Sequence, residues 1–391
     1  MKILLLHQHF KTPQSGGAIR SYYLAKALVD SGHQVAVISV HNEKEYRQEN
    51  LEGIDVHYLP VAYDNRFRFY ARSWSFVKYI FGSIRLAGKF KDFDYCYAIS
   101  VPLTIGIAAI RIKSRYKIPF LFEVGDLWPE APIQMGFVNN YLLKKLLYGL
   151  EKFIYLRAKS IVALSPDITS DIEKKVPQQR VITIPNMADT DFYRPESKKA
   201  ALEEKYHVKG KFVVSYIGAL GIANGLDFFL ECARASQKSD LPVHFLLCGD
   251  GAMLDHLTRT KIQLQLNNLS IIPFQDREGV REVMNVTDAS FICYKPVPVL
   301  ETGSPNKFFD ALAAGKVIVI NFGGWIQAEI EEHHCGFHIH SNRPTDFVNK
   351  IHVVLQDKTR LEEMKKASRL LAEKKYSRKL LSEAFVALFS R

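Results

Sequence analysis

Short apolar runs without a helical period alternate with amphipathic segments along almost the whole chain, and no other feature restricts the fold as strongly. KILLLHQ (2–8), QVAVISV (34–40) and IDVHYLP (54–60) read as strands. So do DYCYAIS, IPFLFEV, SIVALS and RVITIP, which end at Ser100, Val124, Ser165 and Pro185. Strands separated by helices do not pair as hairpins; they build parallel, doubly wound sheets. The series stops at NMADTDFYRPES (186–197), a polar stretch carrying Pro195, and restarts with KFVVSYIG, VHFLLCG, LSIIPF, ASFICYK and KVIVIN. Two α/β domains are therefore expected, one of residues 1–186 with 376–391 packing back on it, the other of residues 187–375. Such sheets bind ligands beyond the carboxyl ends of their strands, which directs attention to loops at 8–17, 125–131, 218–225, 249–251, 274–277 and 295–306.

One helix start stands out among those loops. In ETGSPNKFFDALAAG (301–315), Ser304 is a strong N-cap type and Pro305 suits the first helical position, which puts Asn306 and Lys307 in the first turn and Asp310 just beyond. A lysine at the positive end of the helix dipole is unfavourable by itself and becomes favourable when an anion docks on the free backbone N–H groups. An anion site is expected there. The plainer reading is a crossover helix whose Lys307 snorkels into solvent.

At 391 residues with 47% hydrophobic content, the chain has material for two sizeable cores. It has no apolar run of membrane-spanning length, and MKILLLHQHF is too short in apolar residues for a signal-peptide core, so a cytoplasmic protein is expected. The five cysteines (Cys96, Cys232, Cys248, Cys293, Cys335) are scattered with no CxxC pair and read as reduced core residues. A net charge of +11 says that the surface seeks anions. Much of that excess lies at 66–91, RFRFYARSWSFVKYIFGSIRLAGKFK, which reads either as an interfacial helix on an anionic membrane or as a packed helix with a solvated basic face. Asp189, Thr190 and Asp191 have the form of a metal-binding triplet but sit in the linker. His333, His334, Cys335, His338 and His340 have zinc-like spacing but read better as a short strand with exposed histidines.

Taken together, SGGAIR (15–20), IPNMADTDFYRP (184–195), YIGALGIANGLDFFL (216–230), CGDGAMLDHL (248–257) and SPNKFFDALAAGKVIV (304–319) resemble, in order and spacing, the retaining glycosyltransferases of family 4. DLWPE (126–130), with GIANGL and SPNK, is similar to the branch that builds bacterial surface polysaccharides and O-antigens, including enzymes of fucosamine-type sugars. The resemblance implies a GT-B fold, with two Rossmann-like domains facing across a cleft. It also implies a nucleotide diphospho-sugar, usually a UDP-sugar, on the second domain, a lipid-linked sugar acceptor on the first at the inner membrane face, and neither metal nor cofactor. Nucleic acid is discounted, because the basic stretch would lie in the acceptor half.

Residue by residue, the resemblance puts Gly16 and Gly17 beside the phosphates and the transferred sugar, Phe274 and Gln275 at the base, and Asp310 at the ribose. Gly218, Asn224, Glu301, Ser304 and Asn306 complete the donor site, and Lys307 and Asp126 carry the chemistry. This chain departs from the family in three places. The Arg and Lys that relatives commonly place on the first loop of the second domain are here Ala219 and Asn224. The first acid of the paired-glutamate motif falls on Thr302, with Glu301 the nearest acid, and the histidine often found next to the acceptor-domain aspartate is Gly125. A retaining transfer in which the leaving phosphate takes the acceptor proton needs no such base. Two other activities fit the same fold: a sugar-nucleotide epimerase, or a non-catalytic membrane-associated partner.

Overall fold

In the computed structural model, which describes residues 1–13, 19–63, 67 and 69–389 (without the side chains of 69, 70 and 72), the apolar runs are strands, most of them buried on both faces. Contacts divide the chain into two units, Met1–Pro185 with Thr302–Ser304 and Lys379–Arg391, and Asn186–Glu301 with Pro305–Arg378. Asn186 and residues 376–378, expected with the first domain, thus fall in the second.

The first unit holds an eight-stranded sheet: β1 (Lys2–Leu6), β2 (Gln34–His41), β3 (Arg47–Leu51), β4 (Ile54–Pro60), β5 (Tyr95–Ile99), β6 (Phe120–Val124), β7 (Ser160–Ala163) and β8 (Val181–Thr183). Its order is β3-β4-β2-β1-β5-β6-β7-β8, parallel except for β3. RQENL gave no sign of β3, because an edge strand open to solvent on both faces needs no apolar alternation. β3 and β4 are joined by a tight hairpin turn, in which Glu52 and Gly53 both take positive φ (51° and 90°).

The second unit holds β9 (Phe212–Ile217), β10 (Val243–Cys248), β11 (Leu269–Ile272), β12 (Ala289–Ile292), β13 (Val317–Ile320) and β14 (Gly336–His338), all parallel in the order β11-β10-β9-β12-β13-β14. Strand alternation sends Phe212, Val214 and Tyr216 into one core with Phe229, Phe245, Phe291 and Phe347. Val213 goes to the other face with Leu246 and Val283.

The final helix, Arg378–Val386, and the turn after it return the chain to the first sheet. The Phe385 ring meets Tyr97 of β5 edge-on at 4.8 Å, and Phe389 meets Tyr95 at 5.8 Å. Its buried face is Leu381, Phe385 and Phe389, one residue per turn, whereas Leu380 and Ala384 are exposed. Within the second unit, the linker runs beside this exit. Ala188 N–H donates to the Tyr376 carbonyl at 2.7 Å, Arg378 N–H donates to Ala188, and the Arg378 guanidinium holds Asp189 at 2.7 Å and Asp191 at 2.8 Å. Asp189 also holds Arg277, so its carboxylate already serves two arginines. Among the described residues no three His, Cys, Asp or Glu side chains group as metal ligands, and no helix is long and apolar enough to cross a membrane. All five cysteines are buried free thiols.

Candidate functional site

Each sheet reverses its strand order once, between β1 and β5 in the first unit and between β9 and β12 in the second. At such a switch point the connections leave in opposite directions and open a crevice beyond the carboxyl ends, where ligands of doubly wound folds sit.

In the second unit that crevice holds Lys307. β13 is reached through the helix Asn306–Ala313, and its first turn lies over the end of β9. Pro305, with extended backbone (φ −72°, ψ 129°), is the N-cap, and its carbonyl accepts from Phe308 N–H at 3.0 Å. The cap is thus one residue later than expected, because Pro305 supplies the first accepting carbonyl. Ser304 lies outside the helix, buried, and Asn306 is its exposed first residue. Lys307 Nζ donates to the Tyr216 hydroxyl at 2.6 Å and rests 3.9 Å from the centre of that ring. Tyr216 in turn donates to the Ala219 carbonyl at 2.7 Å. Burial pushes the Lys307 amine down to about 7 and holds the Tyr216 phenol well above its ordinary value. Burial thus disfavours the amine's charged form, and the amine is stowed on a neutral hydroxyl at the positive end of a helix dipole.

Gly218 ends β9 with φ +144°, and a Cβ there would stand 3.3 Å from Lys307 Nζ; the missing side chain leaves the amine its slot. The loop that follows is stitched down. Asn224 Nδ2 donates to the Ala219 carbonyl at 2.9 Å, and Lys295 N–H donates to Ala223. Gly225 turns at φ +57°, with no room for a Cβ against Tyr294 and Lys295. Asn224, expected to face the donor, thus spends its amide N–H groups at least partly on its own loop. A single carbonyl, that of Ala219, is gripped from both sides, by Tyr216 and Asn224.

Asp310 lies one turn along the same helix, half-buried, and its carboxyl is pushed up to about 7 by burial and then by Asp189, with Arg277 opposing. Glu301 ends a short helical turn with its carboxylate over Gly323, where a Cβ would stand 3.2 Å away. Phe274 is exposed just beyond β11, and Gln275 Nε2 donates back to the Pro273 and Phe274 carbonyls at 3.1 and 3.2 Å. Lys307, Gly218 and Asn224 meet through shared contacts; Glu301, Phe274 and Gln275 follow the carboxyl ends of neighbouring strands.

In the first unit, Gly16 and Gly17 lie outside the described residues. Three residues after Gly17, Arg20 opens a helix, and its guanidinium is buried against Glu123 of β6 (3.0 and 3.1 Å). It also donates to the Pro185 and Ile184 carbonyls at 2.5 and 2.9 Å, and Tyr97 donates to the same Glu123 oxygen at 2.5 Å. Asp126 follows β6 as an exposed residue, and desolvation by the protein around it raises the pKa of its carboxyl. Sequence reasoning missed Tyr216, Arg20 and Glu123. A tyrosine two residues before a glycine at a strand's carboxyl end was the available signal for the first; the buried pair left none, because its partners are a hundred residues apart in the chain.

Residues 14–192 match the family model described as Glycosyltransferase Family 4, and residues 197–371 match that of Glycosyl transferases group 1. Among curated proteins, one named for teichuronic acid biosynthesis, the glycosyltransferase TuaH of Bacillus subtilis (strain 168), is 27% identical over 240 residues. The match spans 60% of this chain and 58% of that one. Among solved structures, sucrose-phosphate synthase from Thermosynechococcus elongatus superposes with a TM-score of 0.81 at 15% identity, covering 99% of this chain and 98% of that one. Anabaena HepE in complex with UDP-glucose gives 0.71 at 16% identity over 99% of both.

Proposed function

The chain belongs to glycosyltransferase family 4, and on that premise we propose that it transfers a sugar from a nucleoside diphospho-sugar, a UDP-sugar, to a lipid-linked sugar in polysaccharide synthesis, with retention and without a metal ion. The observation that carries the reading is Lys307, an amine stowed on the Tyr216 hydroxyl at the switch point of the second unit beside a glycine that leaves it room. An incoming diphosphate draws the amine to its charged form, and as the sugar–phosphate bond breaks the growing negative charge meets a fixed cation and a helix N-terminus. Asp310 accepts from the ribose hydroxyls, Phe274 and Gln275 flank the base, and Glu301 faces the transferred sugar. Gly218, Asn224 and Asn306 shape the slot, and Ser304 precedes its helix; Gly16 and Gly17, which the family resemblance gives to the phosphates, are outside the described residues. Asp126 lies on the unit assigned to the acceptor. With Ala219 and Asn224 uncharged, Lys307 takes the charge neutralisation that relatives share among several groups. The protein works at the inner face of a membrane, to which residues 66–91 contribute; Arg66 and Arg68 are outside the described residues, while Trp74 and Phe81 of the helix Phe69–Leu86 are exposed with Lys78 between them.

This reading predicts a pH profile. The free enzyme needs Lys307 charged, which is lost as pH rises through about 7, and Asp310 ionised, which is lost as pH falls through about 7. kcat/KM for the donor is therefore expected to be bell-shaped with both limbs close to neutrality, and Asp310→Asn should remove the acid limb. Isothermal titration with UDP at several pH values should show proton uptake on binding above neutrality. A profile flat across this range, with no proton uptake, contradicts the assignment.

A further inference from the structure

Three helices of the first unit turn to solvent a surface that folding alone does not call for. Right-handed crossovers from β4 to β5, β5 to β6 and β6 to β7 put the helices Phe69–Leu86, Ile105–Tyr116 and Tyr141–Arg157 on the same face of the sheet, each packed on the next. The outer stripe of the third is apolar: Leu142 (73% exposed), Leu146 (67%) and Phe153 (44%) recur at helical spacing, and Leu156 continues the line. Gly149 flattens the stripe in the middle, and Lys145 and Lys152 flank it. On the first helix the outward line is Trp74, Lys78, Phe81 and Arg85, and on the second Ile107 and Arg111. A helix covering a sheet ordinarily turns its polar side outward.

The charges say what covers this face. The three helices carry three, three and four Lys or Arg residues, and the only acid among them is Glu151, which is buried and held by Lys175 at 2.9 Å and Tyr155 at 3.1 Å. A second copy of the chain would bring lysines against lysines across an apolar seam. An anionic bilayer offers a mate to both properties at once, acyl chains to the wedges and headgroup charge to the rim. We propose that the outer stripe of Tyr141–Arg157 is a membrane-docking surface that inserts Leu142, Leu146 and Phe153 into an anionic lipid interface, with the helix Phe69–Leu86 continuing it. The proposal deepens the membrane part of the proposed function and rests on it; its geometry is independent of the donor site.

The test is co-sedimentation of the full chain with vesicles of phosphatidylcholine alone or mixed with phosphatidylglycerol, for the parent, a Leu142→Glu/Leu146→Glu/Phe153→Glu variant and a Trp74→Glu/Phe81→Glu variant. The substituted side chains are exposed, so thermal melts should be unchanged. The parent is expected to pellet with the mixed vesicles only, and the triple variant to lose about tenfold or more in apparent affinity, because three wedges are replaced by charges that the lipid repels. Donor hydrolysis in buffer should be unaltered in the triple variant. Binding by the triple variant equal to that of the parent overturns this docking surface while leaving the membrane reading in place, and more so if the Trp74→Glu/Phe81→Glu variant alone loses binding. No pelleting of the parent overturns both. A parent that ignores vesicles and sediments as a dimer, which the triple variant splits, gives the face to a second copy.

Discussion

Lys307→Ala is expected to lower kcat at least about 100-fold with the fold intact, since a fixed donor aimed at developing charge is typically worth ~3 to 4 kcal/mol of barrier. The slot explains why no neighbour takes over. The Tyr216 hydroxyl is neutral and already donates to Ala219, Asn224 Nδ2 donates to the same carbonyl, and Ala219 itself has no charge to offer. Lys307→Arg should restore the rate only in part. The slot is bounded by the Tyr216 ring at 3.9 Å and by Gly218, and a planar fork needs more width than an ammonium. Asn224→Lys added to the alanine variant should rescue partially, because it supplies a charge but gives up the bond that holds Ala219. A melt checks folding and single-turnover kinetics read kcat. A well-folded alanine variant within about threefold of the parent would place the anion site elsewhere.

Removing the chain from Lys379 onward should cost the first unit much of its stability. Leu381, Phe385 and Phe389 are all buried, and side chains of this size contribute roughly 1.5 to 3 kcal/mol each when fully buried. Three of them together compare with the ~5 to 15 kcal/mol that holds a whole domain. The loss also reaches the interior, because Phe385 and Phe389 pack on Tyr97, whose hydroxyl holds the buried Glu123 that Arg20 pairs with. Phe385→Ala alone should cost about 3 to 5 kcal/mol, read as a drop in denaturation midpoint. Leu380→Ala, on the exposed side of the same helix, should do little. Equal small effects from both substitutions would mean that this docking adds no stability.

Most of the architecture could be read from the chain, and the exceptions have physical causes. Parallel strands buried on both faces must be continuous apolar runs, and each of those runs became a strand at the expected place. β3 escaped because its partners are β4 and water. The helix at 306–313 was legible from Ser304 and Pro305, but its cap was placed one residue early, since Pro305 itself supplies the first accepting carbonyl, which a capping Ser304 would otherwise have given. The final helix, expected to pack back on the first domain, buries Leu381, Phe385 and Phe389 and leaves Leu380 and Ala384 exposed. The actual contact is a narrow line, because one helix edge suffices against the aromatic rings of β5. At the site, chemistry-bearing residues inside motifs were found, and those defined only by distant partners were not. Tyr216 matters because Lys307, ninety-one residues later, rests on it; its place two residues before Gly218 marks it as lying near the strand's carboxyl end but does not name its partner. Asn224 was visible as a lost charge, while its bond to Ala219 depends on how the loop closes.

The central claim is that the second unit binds and cleaves a nucleoside diphospho-sugar. Purified protein incubated with a panel of UDP-, GDP- and dTDP-sugars, with chromatography of the products, tests it most directly. The expected result is slow release of sugar and nucleoside diphosphate from one UDP-sugar, abolished by Lys307→Ala and indifferent to chelator. An isomerised nucleotide sugar with no free nucleoside diphosphate would assign an epimerase instead. No product from any donor, in a folded protein that also fails to bind UDP, would contradict the account.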